Sequence, residues 1–312
     1  MRISDEVTKN IIKKLLKGED YRIEVVSLLN SIFFDYVKNF LLLIPERKAA
    51  LIKLSDEEII DFEKLFLNKD LKLSSKEIMI NSGMNKKTIS NMYNTAVEKV
   101  VKDASKKNFS SLKEILSKLS EDEEMNLNLS IEFNKGKVKQ DFDFKDFLFI
   151  VNALAVKRAE LRGGLWSTAG KRVEKPLMIT LCKIFGVDEN NYHKGNLIDE
   201  GKNYSRETDF YLINGNKKFK CEVKLMGKGN PESADAFYAR DSHVFVADKL
   251  SDTNIKQLDD NSVQWVQLRS KEGFKRFEKV LKKLKIKYSG YNKNYVKNLD
   301  KFFEKIFDWT KS

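Results

Sequence analysis

The chain has 312 residues, 41% hydrophobic and 33% charged, which is enough to bury a core beneath a soluble surface. With 58 Lys and Arg against 46 Asp and Glu, the formal charge is +12 and the pI near 9.3, a balance that suits a polyanion, nucleic acid before anionic membrane. Two cysteines exclude a disulfide framework, two histidines exclude a histidine-rich zinc site, and three prolines with fourteen glycines argue against long disordered linkers.

In chain order, MRISDEVTKNIIKKLLKGEDYR carries no uninterrupted apolar core of the secretory-leader type. VVSLLNSIFFDYVKNFLLLI is broken by Asp35, Lys38 and Asn39 and reads as a buried helix rather than a membrane span. A cytoplasmic protein with no membrane partner is the expectation. Apolar residues keep a helical period through to about residue 120. Within that region SSKEIMINSGMNKKTISNMYN resembles a helix-turn-helix. Ser75 to Asn81 form the first helix, Gly83 is the turn glycine, and Asn85 caps a second helix with Ile89 and Met92 on its buried side. Lys86, Lys87, Ser90, Asn91 and Asn94 would then face DNA. An ordinary helical hairpin is the alternative.

Near Asn126 the texture changes. NLNLSIEFNKGKVKQDFDF alternates around a Lys-Gly turn and predicts a small hairpin. KDFLFIVNALAVKRAELRGG returns to a helical period that Gly163 and Gly164 should end. Pro176 belongs in the first turn of a helix, so the next helix should start near Arg172 to Lys175. That would set Glu174 at a positive helix end and leave a glycine loop edged by Arg158, Arg162, Lys171 and Arg172 as a phosphate contact. Beyond it the pattern alternates strands and helices: SHVFVAD is a strand, SDTNIKQLDD a helix capped by Ser251, and SVQWVQL a strand. From Lys271 the chain is helical and rich in lysine.

TDFYLINGNKKFKCEVKLMGKGNPES carries the chemistry. With Gly215-Asn216 as a two-residue loop, Asn214 closes against Lys217, Asp209 falls opposite Glu222, and Glu207 opposite Lys224; an Asn214-Gly215 loop would instead put Lys220 opposite Asp209 and keep the same two faces. Phe210, Leu212, Phe219, Cys221, Val223 and Leu225 then share an apolar face, while acids and a lysine share the other. Two carboxylates aimed at one spot repel unless a cation lies between them, and Mg²⁺ takes such oxygen ligands together with phosphate and water. A neighbouring lysine can contact the scissile phosphate and orient the attacking water. Glu174 would be a third acid facing that metal. A solvated charged hairpin is the alternative. After Lys224, Lys228, Asn230, Glu232, Ser233 and Arg240 can reach a DNA groove, with Asn230 capping a helix that Pro231 opens.

The order Glu174, Asp209, Glu222-Val223-Lys224 resembles the PD-(D/E)xK nuclease superfamily. The strings GGLWSTAGKRVEKPLM, CEVKLMGKGNPESADA, VFVADKLSD and QLDD, within roughly residues 157 to 269, are similar to type II restriction endonucleases of the CfrBI type. The resemblance implies that Asp209 and Glu222 bind Mg²⁺, that Lys224 is the catalytic lysine and that Glu174 is the accessory acid. Thr208 stands where the superfamily pattern has proline. It further implies a homodimer cutting double-stranded DNA at a palindrome of the CCWWGG kind, with a partner methyltransferase protecting host DNA.

The expected architecture is α+β or α/β. A helical DNA-binding or accessory region with a helix-turn-helix-like segment spans 1–125, a restriction-endonuclease-like core of mixed sheet flanked by helices spans 126–270, and a basic helical extension spans 271–312. A structure-specific nuclease such as a junction resolvase, and a non-catalytic helix-turn-helix regulator, are the competing functions. The intact trio Asp209, Glu222 and Lys224 argues against the silent version.

Overall fold

The computed structural model describes residues 5–55, 65, 73–120, 129–133, 138–195, 210–225, 241–303 and 306. The architecture is α+β: a helical N-terminal region followed by a mixed five-stranded sheet flanked by helices. The chain divides into two compact units, Leu29–Gly164 and Met1–Leu28 with Leu165–Ser312.

The first unit is built from the greater part of α2 (Arg22–Ser55), then α3 (Ser75–Asn81), α4 (Lys86–Tyr93), α5 (Glu98–Ser120), the antiparallel hairpin β1 (Leu129–Phe133) and β2 (Val138–Phe142), and the first part of α6 (Phe144–Ile184). Phe40, Ile44, Phe109, Leu116, Phe149 and Ile150 form its core, with the Phe109 and Phe149 rings stacked at 4.6 Å. Each such side chain stabilises by about 1.5–3 kcal/mol on burial. A second cluster joins Met79, Met84, Ile89, Val101 and Ala104.

α3 and α4 form where local chemistry places them. Ser74 caps α3 and closes a capping box with Glu77, and the Asn85 side chain accepts from the Thr88 amide at the start of α4. Gly83 turns between them at φ +79, and a Cβ there would lie 2.1 Å from the Asn152 side chain. Ile89 is fully buried, as expected, but Met92 is 60% exposed. Met92 is on the same side as Ile89 but lies in the last turn of the helix, one residue before its end at Tyr93.

α2 also differs from the buried helix expected. Its segment Arg22–Arg47 is long and apolar enough to cross a membrane by length and composition, yet its most apolar stretch is only 22% buried. Val25, Leu29, Phe40 and Ile44 are buried, while Ile23, Phe34 and Leu42 are exposed.

α6 is the larger correction. It runs unbroken through Gly163 and Gly164 and carries Pro176 in its interior, so no helix ends at the glycines and none begins at Arg172 to Lys175. The glycine loop expected to hold phosphate is a helix instead. Its last turns, with Leu177, Met178, Ile179, Leu181, Cys182 and Ile184 all fully buried, explain why: that burial outweighs the helix cost of the glycines and the proline.

In the second unit the sheet order is β3 (Tyr192–Lys194), β4 (Phe210–Asn214), β5 (Lys217–Lys224), β6 (Val244–Ala247) and β7 (Gln264–Gln267). β3, β4 and β5 pair antiparallel, whereas β5, β6 and β7 pair parallel. Cys182 of α6 lies beside Cys221 of β5, so α6 covers the face bearing Cys221, Val223 and Val244. The opposite face packs Phe245 and Ala247 on α7 (Asp252–Asp260), which Ser251 caps, through Leu258 and Ile255. With both faces covered, all four residues of β6 are buried. α8 (Phe277–Lys283) and the short α9 (Lys293–Lys297) follow, and Phe185 of α6 packs its ring against Phe274, Phe277 and Tyr291. α1 (Asp5–Lys17) belongs to this unit, with Ile11, Ile12 and Leu15 fully buried.

Candidate active site

The β4–β5 hairpin has the register expected from its turn: Asn214 pairs with Lys217, Leu212 with Phe219 and Phe210 with Cys221. Gly215, at φ +56, takes the first central position of the two-residue loop, where a II′ turn requires glycine. The pairing fixes the parity of both strands. Phe210, Leu212, Cys221 and Val223 are fully buried on the α6 side. Glu222 and Lys224 share the other side, in line with Phe245 and Ala247 of β6.

That second face is not the open charged surface a solvated hairpin would show. Glu222 is 1% exposed, and its Oε1 lies 2.6 Å from Lys224 Nζ. A carboxylate this deep costs several kcal/mol in lost hydration unless cations hold it. Residues two apart on a strand point the same way, and here that spacing supplies the ammonium group. Lys224 is the last residue of β5 and keeps part of its side chain in solvent. The pair therefore combines a buried, oriented carboxylate with a cation that can reach outward.

Glu174 lies mid-helix in α6 and is 8% exposed. Its carboxylate points back along the preceding turn, where a Cβ on Gly170 would lie 3.9 Å from Oε1. It is on the helix that covers the face opposite Glu222. Among the described residues no three His, Cys, Asp or Glu side chains gather into a metal-holding group. Asp209 and Glu207 lie outside the described residues, as do Lys228, Asn230, Glu232, Ser233 and Arg240.

Arg162 and Lys171 are exposed on α6, whereas Arg172 is paired with Asp5 of α1. Arg158 is engaged by Asn30 and stacks on the Phe33 ring. Lys86, Lys87 and Asn91 are exposed on α4.

Two features were not foreseen. Lys194 pairs with Phe210 at the end of β3, and burial, then the charge of Lys175, depresses its ammonium below the usual lysine range. The second is a charged network at the ends of β6 and β7, where Asp248 is fully buried against Arg269. Burial raises the Asp248 carboxyl above its ordinary range, and the guanidinium opposes that rise. Neither was legible from spacing, because the partners come from elements far apart in sequence.

The family model described as CfrBI restriction endonuclease matches residues 5–255, from α1 through the candidate site and into α7. No curated protein matches the chain. The match takes in well over half of the sequence, including both units and the Glu222–Lys224 pair, and the chain belongs to the CfrBI restriction endonuclease family, whose activity is site-specific cleavage of DNA.

Proposed function

We propose that the protein is a type II restriction endonuclease of the PD-(D/E)xK kind, making Mg²⁺-dependent double-strand cuts at a short palindromic DNA site. The observation that supports this most is the Glu222–Lys224 pair, buried at one end and open at the other, on the last turn of pleat of β5. From the alternation of the sequence alone, Asp209 would be the partner acid of Glu222 on that face.

The donor chemistry fits Mg²⁺, a hard cation commonly held by one or two carboxylates with waters and phosphate oxygens. Asp209 and Glu222 would hold it, with Glu174 as the accessory acid. When bound, Mg²⁺ supplies charge neutralisation at the scissile phosphate and lowers the pKa of water. Lys224 contacts that phosphate and orients the attacking water through its protons. Attack at phosphorus in line with the 3′ oxygen breaks the P–O3′ bond, leaving 5′-phosphate and 3′-hydroxyl ends.

Binding falls to exposed cations and to the segment after Lys224. Arg162, Lys171, Lys86 and Lys87, all exposed, would contact phosphates, and Asn91 would contact a base edge. Arg172 would have to leave Asp5 to join them. Lys228, Asn230, Ser233 and Arg240, from the segment after Lys224, would complete the set. A palindrome with two scissile bonds matches a two-fold homodimer with one site per subunit. Such an enzyme works in the cytoplasm beside a methyltransferase that protects host DNA, and the two cysteines, free and buried, suit a reducing compartment.

The test is a plasmid digest. Discrete fragments in Mg²⁺ and none in EDTA are expected, with end sequencing giving the site and the cut. Cutting only of branched DNA would favour a resolvase, and full cleavage in EDTA would sink the metal mechanism.

A further inference from the structure

The β5–β6 ladder ends where Lys224 pairs with Ala247, so Leu225 leaves the sheet one residue after the candidate catalytic lysine. The backbone there is caught from behind. The Tyr21 hydroxyl, in the turn between α1 and α2, donates to the Leu225 carbonyl at 2.9 Å. The Asp248 amide donates to the Lys224 carbonyl at 3.4 Å.

Both anchors are themselves held. Tyr21 is 3% exposed, and Asp248 is fully buried. Arg269 Nε lies 2.5 Å from Asp248 Oδ1, its amide donates to the Asp248 carbonyl at 3.0 Å, and its Nη1 lies 3.2 Å from Asp20 Oδ2. Arg22 holds Asp20 in turn. Two acids and two guanidinium groups thus balance in charge around one short piece of backbone.

Phe245 and Ala247 share the face of Glu222 and Lys224, and the chain bends at Asp248, one residue past the end of β6. Asp248 meets Lys224 through the backbone, its amide donating to the Lys224 carbonyl, while Arg269 engages its carboxylate. Net stability is not a sufficient reason for that pair, since a buried ion pair often does no better than a well-packed apolar replacement. The part that is buried, Asp248 at 0% and Arg269 at 8% exposure and 2.5 Å apart, does restrict the backbone it holds.

We propose that Tyr21, backed by Asp20, Arg269 and Asp248, is a positioning residue that fixes the backbone at Leu225 and thereby the placement of Lys224 and Glu222. The inference rests on the nuclease reading of that pair. It also gives the α1–α2 turn a role in cleavage that its distance in sequence conceals.

Tyr21→Phe tests it, because the substitution removes one hydroxyl and leaves the ring packed. Three readouts are needed: single-turnover cleavage of plasmid as Mg²⁺ is varied, affinity for the same DNA, and amide exchange across residues 222–225. The expected result is cleavage slower by roughly 10-fold, within the roughly 10² that a 1 Å misplacement causes. The Mg²⁺ concentration for half-maximal rate rises, DNA affinity stays within about twofold, and exchange at 222–225 accelerates; loss of folded protein alone would leave the Mg²⁺ midpoint where it was. Parent-like exchange, or faster exchange with parent-like rate and Mg²⁺ midpoint, overturns the proposal. A parent protein that cuts no DNA in Mg²⁺ sinks the nuclease reading instead, and the exchange measurement then decides alone whether Tyr21 holds this strand end.

Discussion

Glu222→Gln is expected to slow DNA cleavage by roughly 10²–10⁴-fold, the range that follows loss of one positioned group acting in the transition state. The change keeps the shape of a side chain that is 1% exposed, so the strand packing around it is preserved. What it removes is charge. The amide cannot neutralise Lys224 Nζ, now 2.6 Å away, nor offer a divalent cation an anionic oxygen. Lys224 keeps part of its side chain in solvent, where water can solvate the end of the side chain once the carboxylate is gone. DNA affinity, carried by other cations, should change by less than about tenfold, or 1.4 kcal/mol. Filter binding beside single-turnover cleavage separates the two effects. Cleavage at the parent rate would show that the buried pair is structural and that catalysis lies elsewhere.

Arg269→Met is expected to cost about 3–5 kcal/mol of stability near neutral pH, because it leaves the fully buried Asp248 carboxylate without its guanidinium. Arg22 and Asp20 remain paired with each other, and the Tyr21 hydroxyl donates to the Leu225 carbonyl, so none replaces the 2.5 Å contact. The loss should depend on pH with a definite sign. Burial already raises the folded-state pKa of Asp248 above 3.8, and the variant raises it further by removing an opposing cation. A carboxyl whose folded pKa lies above its unfolded value binds protons more tightly when folded. Its contribution to stability is greatest below the unfolded pKa and declines as pH rises through the folded one. The gap between parent and variant should therefore narrow on acidification from neutrality towards pH 4 and be widest above the variant's folded pKa. Urea unfolding of both proteins across that range checks it. A constant gap would mean that Asp248 does not carry the effect.

What could be read from the sequence was set by short-range rules. The hairpin register followed from Gly215 in a two-residue loop, and parity then grouped Glu222 with Lys224. α4 and α7 form where Asn85 and Ser251 could cap them, and α3 forms over Ser75 to Asn81 as expected. Those caps satisfy backbone donors within one turn and need no distant partner. α6 failed the same local logic. Gly163, Gly164 and Pro176 are helix breakers by propensity, costing about 1 kcal/mol per glycine and about 3 for the proline. Tertiary burial of Leu165, Val173, Leu177 and Leu181 outweighs them, and none of that burial shows in the neighbouring residues. With the helix continuous, Glu174 loses the helix-end position that first marked it, and its reading as an accessory acid now rests on family resemblance and proximity in sequence to the core.

The charged network was invisible for a related reason. Asp20, Tyr21, Asp248 and Arg269 look like ordinary surface charge and a turn residue until α1 is packed onto the sheet unit. The same packing explains why the N-terminal segment cannot be treated as a detachable helical arm. Ile11, Ile12 and Leu15 are fully buried in the unit that holds the sheet. A truncation at residue 120 would remove part of that core along with any DNA-binding helices.

Asp209 and Glu222 are the residues proposed to hold the divalent cation. Iron-directed cleavage of the polypeptide tests this without knowledge of the DNA site. Fe²⁺ replaces Mg²⁺ in the intact protein, ascorbate and peroxide generate radicals at the bound ion, and the broken chain is mapped by mass spectrometry. The account predicts cuts beside Asp209 and beside Glu222, suppressed by excess Mg²⁺ and lost in Glu222→Gln. Cuts confined to other segments, or cuts at these positions that neither Mg²⁺ nor the substitution affects, would contradict it.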